Sequence, residues 1–399
     1  MNNKNRLLSV FSYLPLIWIV TGMFWYSRGD KFLVGIMAIS FLVITVINGP
    51  KSIINKIKSS SWLKLILLYL AFAVVSGEIH GFNSRETRAL IISALFLMSV
   101  NLSTLNFKYI ALLMLVASIN GLIYVTNFQI IDPVPRNLWP VNPLPFAASI
   151  AVLASISLSL LIVNKKPRTR IFFGINLLIL TITLLATDIR SAIIAFVVFV
   201  GLTVLWLVVK SKNRGKVMAI GMVILSLSAV LSYPITKNRI IVTIGEVQAI
   251  SAGNLDTSIG QRLQVYNVAL GMIPEAPIFG HGNKLAPRWD AMLESGEITP
   301  LVHQVVSWDF HNDYFEKWVK YGLVGLIFML ILLLYPVYRA IKSRHDDSLI
   351  IVGPPVVFAV AAMAYTPFSD ARSLTVYIIA TSLCMAYSQK EQSRRKIRS

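Results

Sequence analysis

The sequence predicts an all-α, polytopic integral membrane protein with about 12 transmembrane helices and one large helical external loop. Three observations lead there. Of 399 residues, 56% are hydrophobic and only 14% charged, against roughly 25% charged in soluble domains. Apolar runs long enough to cross a bilayer recur along most of the chain, and the basic residues collect in alternate short loops between them. A mean hydropathy of +0.69 excludes a cytosolic enzyme, whose core would need far more polar cover, and also a disordered chain. One cysteine, Cys384, lies inside an apolar run and excludes a disulfide scaffold.

A spanning helix needs about 20 mostly apolar residues. Such runs are centred on 8–27, 32–48, 62–79, 89–105, 109–128, 144–163, 171–187, 191–209, 217–234, 321–340, 349–368 and 373–388. The first follows Lys4 and Arg6 like a signal peptide, but it continues to about Tyr26 with no small-x-small cleavage site and reads as an uncleaved span. The fourth closes on Asn101, Ser103 and Asn106, and Pro354 and Pro355 interrupt the eleventh. With the N-terminus cytoplasmic, the cytoplasmic segments gather 23 of the 37 Lys+Arg and, among the acids, only Asp346, Asp347 and Glu391. This positive-inside pattern puts both termini in the cytoplasm. It also accounts for the net charge of +19 without a nucleic-acid partner. The organisation expected is helices 1–9 over residues 1–232, an external loop domain over 233–320, helices 10–12 over 321–388, and a basic tail over 389–399 suited to a membrane surface.

The external loop is long enough to fold by itself and holds His281, His303 and His311. Ser258-Ile259-Gly260-Gln261 has a capping-box pattern, with Ser258 as N-cap and Gln261 three residues on. A helix is expected from there to about Ile273, stopped by Pro274. Arg262, Tyr266 and Ala269 share one of its faces by spacing. The Pro- and Gly-rich stretch 274–282 reads as a turn. A second helix is expected to begin near Ser307 or Asp309, to carry His311, Tyr314, Phe315 and Trp318, and to continue into the tenth span.

Charged groups at membrane depth need a reason. Arg190, in Thr187-Asp188-Ile189-Arg190-Ser191, is either the snorkelling residue of a tight turn or a cation at the external rim for an anionic lipid headgroup. A guanidinium suits the second task because it binds phosphate oxygens in pairs and keeps its charge. Arg262 lies in the first turn of its helix, where a cation opposes the macrodipole. It is an exposed surface arginine or, with the N-terminal amides, part of an anion site. His311 is the best candidate for a general base, since a helix N-terminus disfavours imidazolium; a capping or core role is the alternative. His281, in a glycine turn, and His303 compete with it. Glu78, His80, Arg85, Glu86 and Arg88 form an external cluster that anchors at the interface or helps shape an anionic-lipid site. Glu275, Asp290, Glu294 and Glu297 read as a solvated face. With no metal or phosphate-loop motif, no metal or cofactor is expected.

Together, the roughly twelve spans, the turn at 187–190, S-I-G-Q-R-L at 258–263, F-G-H-G at 279–282 and H-N-D-Y-F-E-K-W-V-K-Y-G-L-V-G at 311–325 resemble the O-antigen ligase family. That family lies within the O-antigen ligase/polymerase superfamily of bacterial membrane glycosyltransferases. The resemblance implies an enzyme of the Gram-negative inner membrane with a periplasmic site, acting in lipopolysaccharide biosynthesis. Its reaction would transfer an O-antigen glycan from undecaprenyl diphosphate to a sugar hydroxyl of lipid A–core, with inversion and without metal or ATP. It maps the family's essential residues onto Arg190 and Arg262, which would bind diphosphate and stabilise the leaving group, and onto His311, as base or orienting group. Further substrate contacts are expected at His281, Tyr266, Asn312, Tyr314, Arg85 and Arg88. An O-antigen polymerase or a protein O-oligosaccharyltransferase of the same superfamily would use the same donor. A non-catalytic lipid-linked sugar transporter also fits the spans, although it needs no base. The mechanism requires Arg190, Arg262 and His311 to converge around the pyrophosphoryl group at the outer leaflet.

Overall fold

The structure, a computed structural model, describes residues 3–215, 237, 241–343 and 345–398. Among the described residues the regular elements are helices. In chain order they are α1 (Asn3–Thr21), α2 (Gly29–Asn48), α3 (Pro50–Ser59), α4 (Ser61–His80), α5 (Ser84–Ser99), α6 (Phe107–Thr126), α7 (Pro143–Val163), α8 (Pro167–Ala186) and α9 (Arg190–Lys210). There follow α10 (Ile241–Ser251), α11 (Ser258–Met272), α12 (Ala286–Glu294), α13 (Pro300–Val306), α14 (Asp313–Ser343), α15 (Leu349–Ala361) and α16 (Ala371–Arg398). They form two compact units. The first holds Met1–Phe196, Phe328–Ala361 and Pro367–Ser399; the second holds Val197–Ile327 and Ala362–Thr366.

Seven described helices are long and apolar enough to cross a membrane: α2, α4, α6 with its π-turn to Ile131, α7, α8, α9 and α14. Four further expected spans coincide with α1, α5, α15 and α16. Of these, α5 has 16 residues and α15 has 13, short of the roughly 20 that a straight crossing needs. The expected span at 217–234 lies outside the described residues. The fourth span lies about five residues earlier than expected, because Asn83 opens α5 by accepting from the Arg85 and Glu86 amides. Two polar residues at its expected end are caps: Asn101 accepts from Ser103 N at 3.2 Å, and Asn106 opens α6 by accepting from Lys108 N at 3.0 Å. Both prolines of the eleventh span lie inside α15.

In the first unit α7 is the central helix, 72% buried over its apolar window and packed against α8, α15 and α16. Its sequence explains that position. Ala147, Ala148, Ala151 and Ala154 let neighbouring backbones approach closely, and Ser149, Ser155 and Ser159 return their hydroxyls to carbonyls of their own helix. A buried chain of hydrogen bonds joins three spans: Ser118 donates to Asn176 Oδ1 at 2.6 Å, and Asn176 Nδ2 donates to Ser157 Oγ at 2.7 Å.

Loop contacts sort the ends of this unit. At one end Lys56 donates to the Ser99 carbonyl, Lys390 donates to the Ser103 carbonyl at 3.0 Å, and Arg395 pairs with Asp347 at 2.8 Å. At the other, Arg88 and Arg372 share Asp30 at 2.8 and 3.3 Å, and Arg372 also donates to the carbonyls of Met23 and Ser27. Loops that alternate along the sequence therefore meet their own kind.

The second unit has a core of its own, with Val265, Ala269, Met272, Trp289, Met292, Val302, Phe310 and Val319 in one buried cluster. Two expected boundaries move. Thr257, not Ser258, caps α11: its hydroxyl accepts from Gly260 N at 3.0 Å and Ser258 is already helical, which removes the capping box with Gln261. The final helix starts at Asp313, not at Ser307 or Asp309, because Asn312 Oδ1 takes the Tyr314 amide at 2.9 Å.

The 279–282 turn also acquires a structural task. α14 breaks at Gly322, whose φ of 64° and ψ of −165° leave neighbouring backbone groups without helical partners. The turn supplies them. The amides of His281 and Gly282 donate to the carbonyls of Val319 and Lys320, both at 2.8 Å, and the amides of Leu323 and Val324 donate to those of Pro277 and Ile278 at 2.8 and 3.2 Å. The contact is backbone on backbone: a Cβ at Gly322 would fall on the Ile278 carbonyl, and one at Gly280 would lie 2.5 Å from the Gly322 nitrogen. That dihedral region is accessible essentially to glycine alone. Gly322→Ala should therefore destabilise the full chain by about 3 kcal/mol or more, read as a lower denaturant midpoint in detergent. An unchanged midpoint would show that the break tolerates a side chain.

Candidate active site

The segment between α13 and α14 carries alternating demands. Phe310 is fully buried and packs edge-on to Trp289, with ring centroids 5.9 Å apart. Its amide donates to Glu316 Oε2 at 3.1 Å, and the same buried carboxylate takes Lys320 one helical turn later. Asp309 and His311, on either side of Phe310 in the chain, are each partly exposed. His311 then adopts φ 50°, one of two non-glycine residues with positive φ among those described; Asp188 is the other. Such a conformation costs about 1–2 kcal/mol and persists where the surroundings over-determine it.

The surroundings of His311 do that. Asp309 Oδ1 accepts the His311 amide at 2.6 Å and lies 2.8 Å from its Nδ1. Asp309 Oδ2 accepts from the Thr366 hydroxyl at 3.1 Å. The His311 carbonyl accepts from the Tyr266 hydroxyl at 3.3 Å, which also reaches the Met363 carbonyl at 3.2 Å, while Asp313 N donates to the Ala362 carbonyl at 2.8 Å. Residues 362–366, far along the chain, thus clamp the histidine loop. Burial alone would raise the Asp309 carboxyl, but the hydrogen bonds and charge of His311, with a smaller contribution from the charge of Lys320, outweigh it and hold the group below the ordinary carboxylate range. An ionised Asp309 fixes the Nδ1–H tautomer, leaving the Nε2 lone pair as an acceptor. The imidazole is one-third exposed, so that nitrogen remains reachable.

Arg262 and Tyr266 stand one turn apart on α11. Burial raises the Tyr266 phenol, and this is opposed by the charge of Arg262 and by a hydrogen bond from Asn312. Arg262, Tyr266, Asn312 and His311 are therefore brought together, and no carboxylate pairs with Arg262 among the described residues. Tyr314 follows in the first turn of α14.

Several of the other expected residues are engaged with other groups. His281 Nε2 lies 2.9 Å from the Met272 carbonyl and ties the glycine turn to the end of α11. His303 pairs with Asp290 at 2.9 Å, and Glu275 with Arg288 at 2.7 Å. Arg88 is engaged with Asp30, while Arg85 is exposed at the start of α5. Arg190 belongs to the first unit, where it opens α9 just after Asp188; the carboxylate and carbonyl of Asp188 take the guanidinium of Arg136. Among the described residues no group of three or more His, Cys, Asp or Glu could hold a metal ion.

Sequence reasoning missed Asp309, Glu316 and the 362–366 clamp. The Asp-Phe-His spacing was a usable signal, because a carboxylate two residues before a histidine can reach its ring. Thr366 left none, since its role depends on a contact 57 residues away in sequence.

A polytopic helical membrane protein bearing a carboxylate-oriented histidine on a small folded unit is a class rather than an identity. The comparisons narrow it. Residues 175–330 match the family model described as O-antigen ligase, a range that includes Arg190, Arg262, Asp309 and His311. The match supports membership of the O-antigen ligase superfamily. An uncharacterized protein of Haemophilus influenzae is 27% identical over 208 residues, which is 51% of each chain. The chain thus spans about half the length of the curated relative it matches.

Because Asp309 is lowered on folding, its contribution to stability is complete above the ordinary carboxylate value near pH ~4 and fades as pH falls through the lower folded value. The difference in Tm between the wild-type chain and Asp309→Asn, taken at about pH 5, should therefore shrink as pH falls below about 4. A difference that keeps its size down to about pH 2 would show that Asp309 is not held ionised by folding.

Proposed function

We propose that the protein is an O-antigen ligase, moving a glycan from undecaprenyl diphosphate to a sugar hydroxyl of lipid A–core at the periplasmic face of the inner membrane, with both termini cytoplasmic. The observation that carries the reading is the Asp309–His311 pair, which leaves Nε2 as an acceptor. The match of the surrounding residues to the O-antigen ligase family supports it. The acceptor hydroxyl attacks the anomeric carbon, the bond from that carbon to the diphosphate oxygen breaks, and undecaprenyl diphosphate departs with its electron pair. The hydroxyl proton passes to His311 Nε2 as the new bond forms. Asp309 stabilises the resulting imidazolium without itself taking the proton. Arg262 offsets charge building on the diphosphate, and Arg190 is proposed as the second cation for the same anion. Because both substrates are lipid-anchored, the membrane supplies much of their proximity.

Purified full-length protein, given the lipid-linked O-antigen and lipid A–core in detergent, should form the glycosidic product and continue to do so in EDTA. His311→Ala should lower kcat by about 10²–10⁴-fold. Arg262→Lys keeps the charge but loses the planar fork, and should cost about 10²-fold. Product formation that needs a second lipid-linked glycan or a protein Ser/Thr in place of lipid A–core would move the assignment to a polymerase or a protein O-oligosaccharyltransferase. Absence of any transfer with all three acceptors would defeat the catalytic reading.

A further inference from the structure

The basic end of the first unit contains a cavity of about 600 Å³ into which Lys56, Arg339 and Lys390 converge. A neighbouring hollow of about 450 Å³ shares Tyr335, Arg339 and Gln389 with it and adds Lys342. No Asp or Glu lines either one. The three cations are held by neutral groups alone: Lys56 by the Ser99 carbonyl, Lys390 by the carbonyls of Ser103 and Leu105, and Arg339 by the Tyr335 hydroxyl at 3.2 Å. Among the described residues none of the three has an ion-pair partner. Burial pushes the Lys56 ammonium down to about 8, so it keeps its charge at neutral pH. Like charges facing one cavity repel one another, and an anion between them relieves that repulsion.

The depth of the cavity is marked by α3. This ten-residue helix, between the ends of α2 and α4, sets Ile53, Ile54 and Ile57 against Lys51, Lys56 and Lys58 and is amphipathic. Such a helix lies in the interface, with its cations at headgroup level.

We propose that this cavity is a binding site for a phosphate-bearing anion, held by Lys56, Arg339 and Lys390 at headgroup depth and separate from the histidine site. The ligand chemistry is a phosphate group with net negative charge, which zwitterionic phosphatidylcholine does not present. An acidic phospholipid headgroup and free phosphate both offer it. The proposal is independent of the transfer reaction, because none of the three cations is in the proposed catalytic machinery.

Amine acetylation of the full chain, read by mass spectrometry, tests it. Three preparations are compared: nanodiscs of phosphatidylcholine, the same discs with inorganic phosphate added, and discs containing phosphatidylglycerol. Exposed Lys58, on the same helix, serves as the internal reference. Lys56 and Lys390 should become about tenfold less reactive relative to Lys58 when the anion pairs with them. Protection by added phosphate identifies a free anion, and protection only with phosphatidylglycerol identifies a lipid headgroup. Equal reactivity in all three preparations would overturn the site. In the Arg339→Gln chain the anion should be held about tenfold more weakly, and undiminished protection there would overturn the shared three-cation site. The wild-type comparison stands even if that variant folds poorly.

Discussion

Backbone polar groups without water must find partners inside the protein, and the break at Gly322 meets that demand with a second piece of chain. The turn at 277–282 lends two carbonyls and two amides to α14 where the helix cannot satisfy itself. This join separates the charged segment beginning Asp313-Tyr314-Phe315-Glu316 from the apolar span that follows. It also fixes the start of α14 relative to α11, since His281, in the same turn, is tied to the last residue of α11. The histidine loop depends on both helices, through Tyr266 on one and Glu316 on the other.

On that frame the His311 loop is a compact problem in satisfied groups. Phe310 is held inward by the core, with Asp309 and His311 partly exposed on either side of it in the chain. One carboxylate then orders the peptide amide, the ring tautomer and a threonine from a distant loop. The strain of a histidine at positive φ is offset by bonds to both its backbone amide and its carbonyl. A base prepared in this way needs little reorganisation when a proton arrives, which is where preorganised sites gain most.

The first unit obeys a different logic. Its spans are uniformly apolar, so their arrangement rests on small residues along α7 and on the buried Ser118–Asn176–Ser157 chain. Its ends are distinguished by charge. One end uses arginines around buried Asp30, while the other leaves Lys56, Arg339 and Lys390 facing a cavity with no acid. The same excess of basic residues can serve both as a topological signal and as a local anion field.

Much of the fold was legible in the sequence, because a bilayer enforces length and apolarity one segment at a time. Eleven of the twelve expected spans coincide with a described helix. The boundaries slipped where a polar residue could be read either as the end of a span or as a cap, as at Asn106 and Thr257. Among the candidate residues, helical spacing places Arg262 and Tyr266 on one face, and an expected position in the first turn of a helix singles out His311, which the structure sets just before that helix. Spacing could not supply Asp309 as the partner of His311, the clamp from Met363 and Thr366, or the structural work of His281, since each depends on segments that meet only when the chain has folded. By itself, then, the sequence determined the membrane class, the helical segments and the types of charged group available. The tertiary structure decided which of those groups are held, neutralised or left open, because hydrogen bonding and burial act between neighbours in space and not between neighbours in the chain.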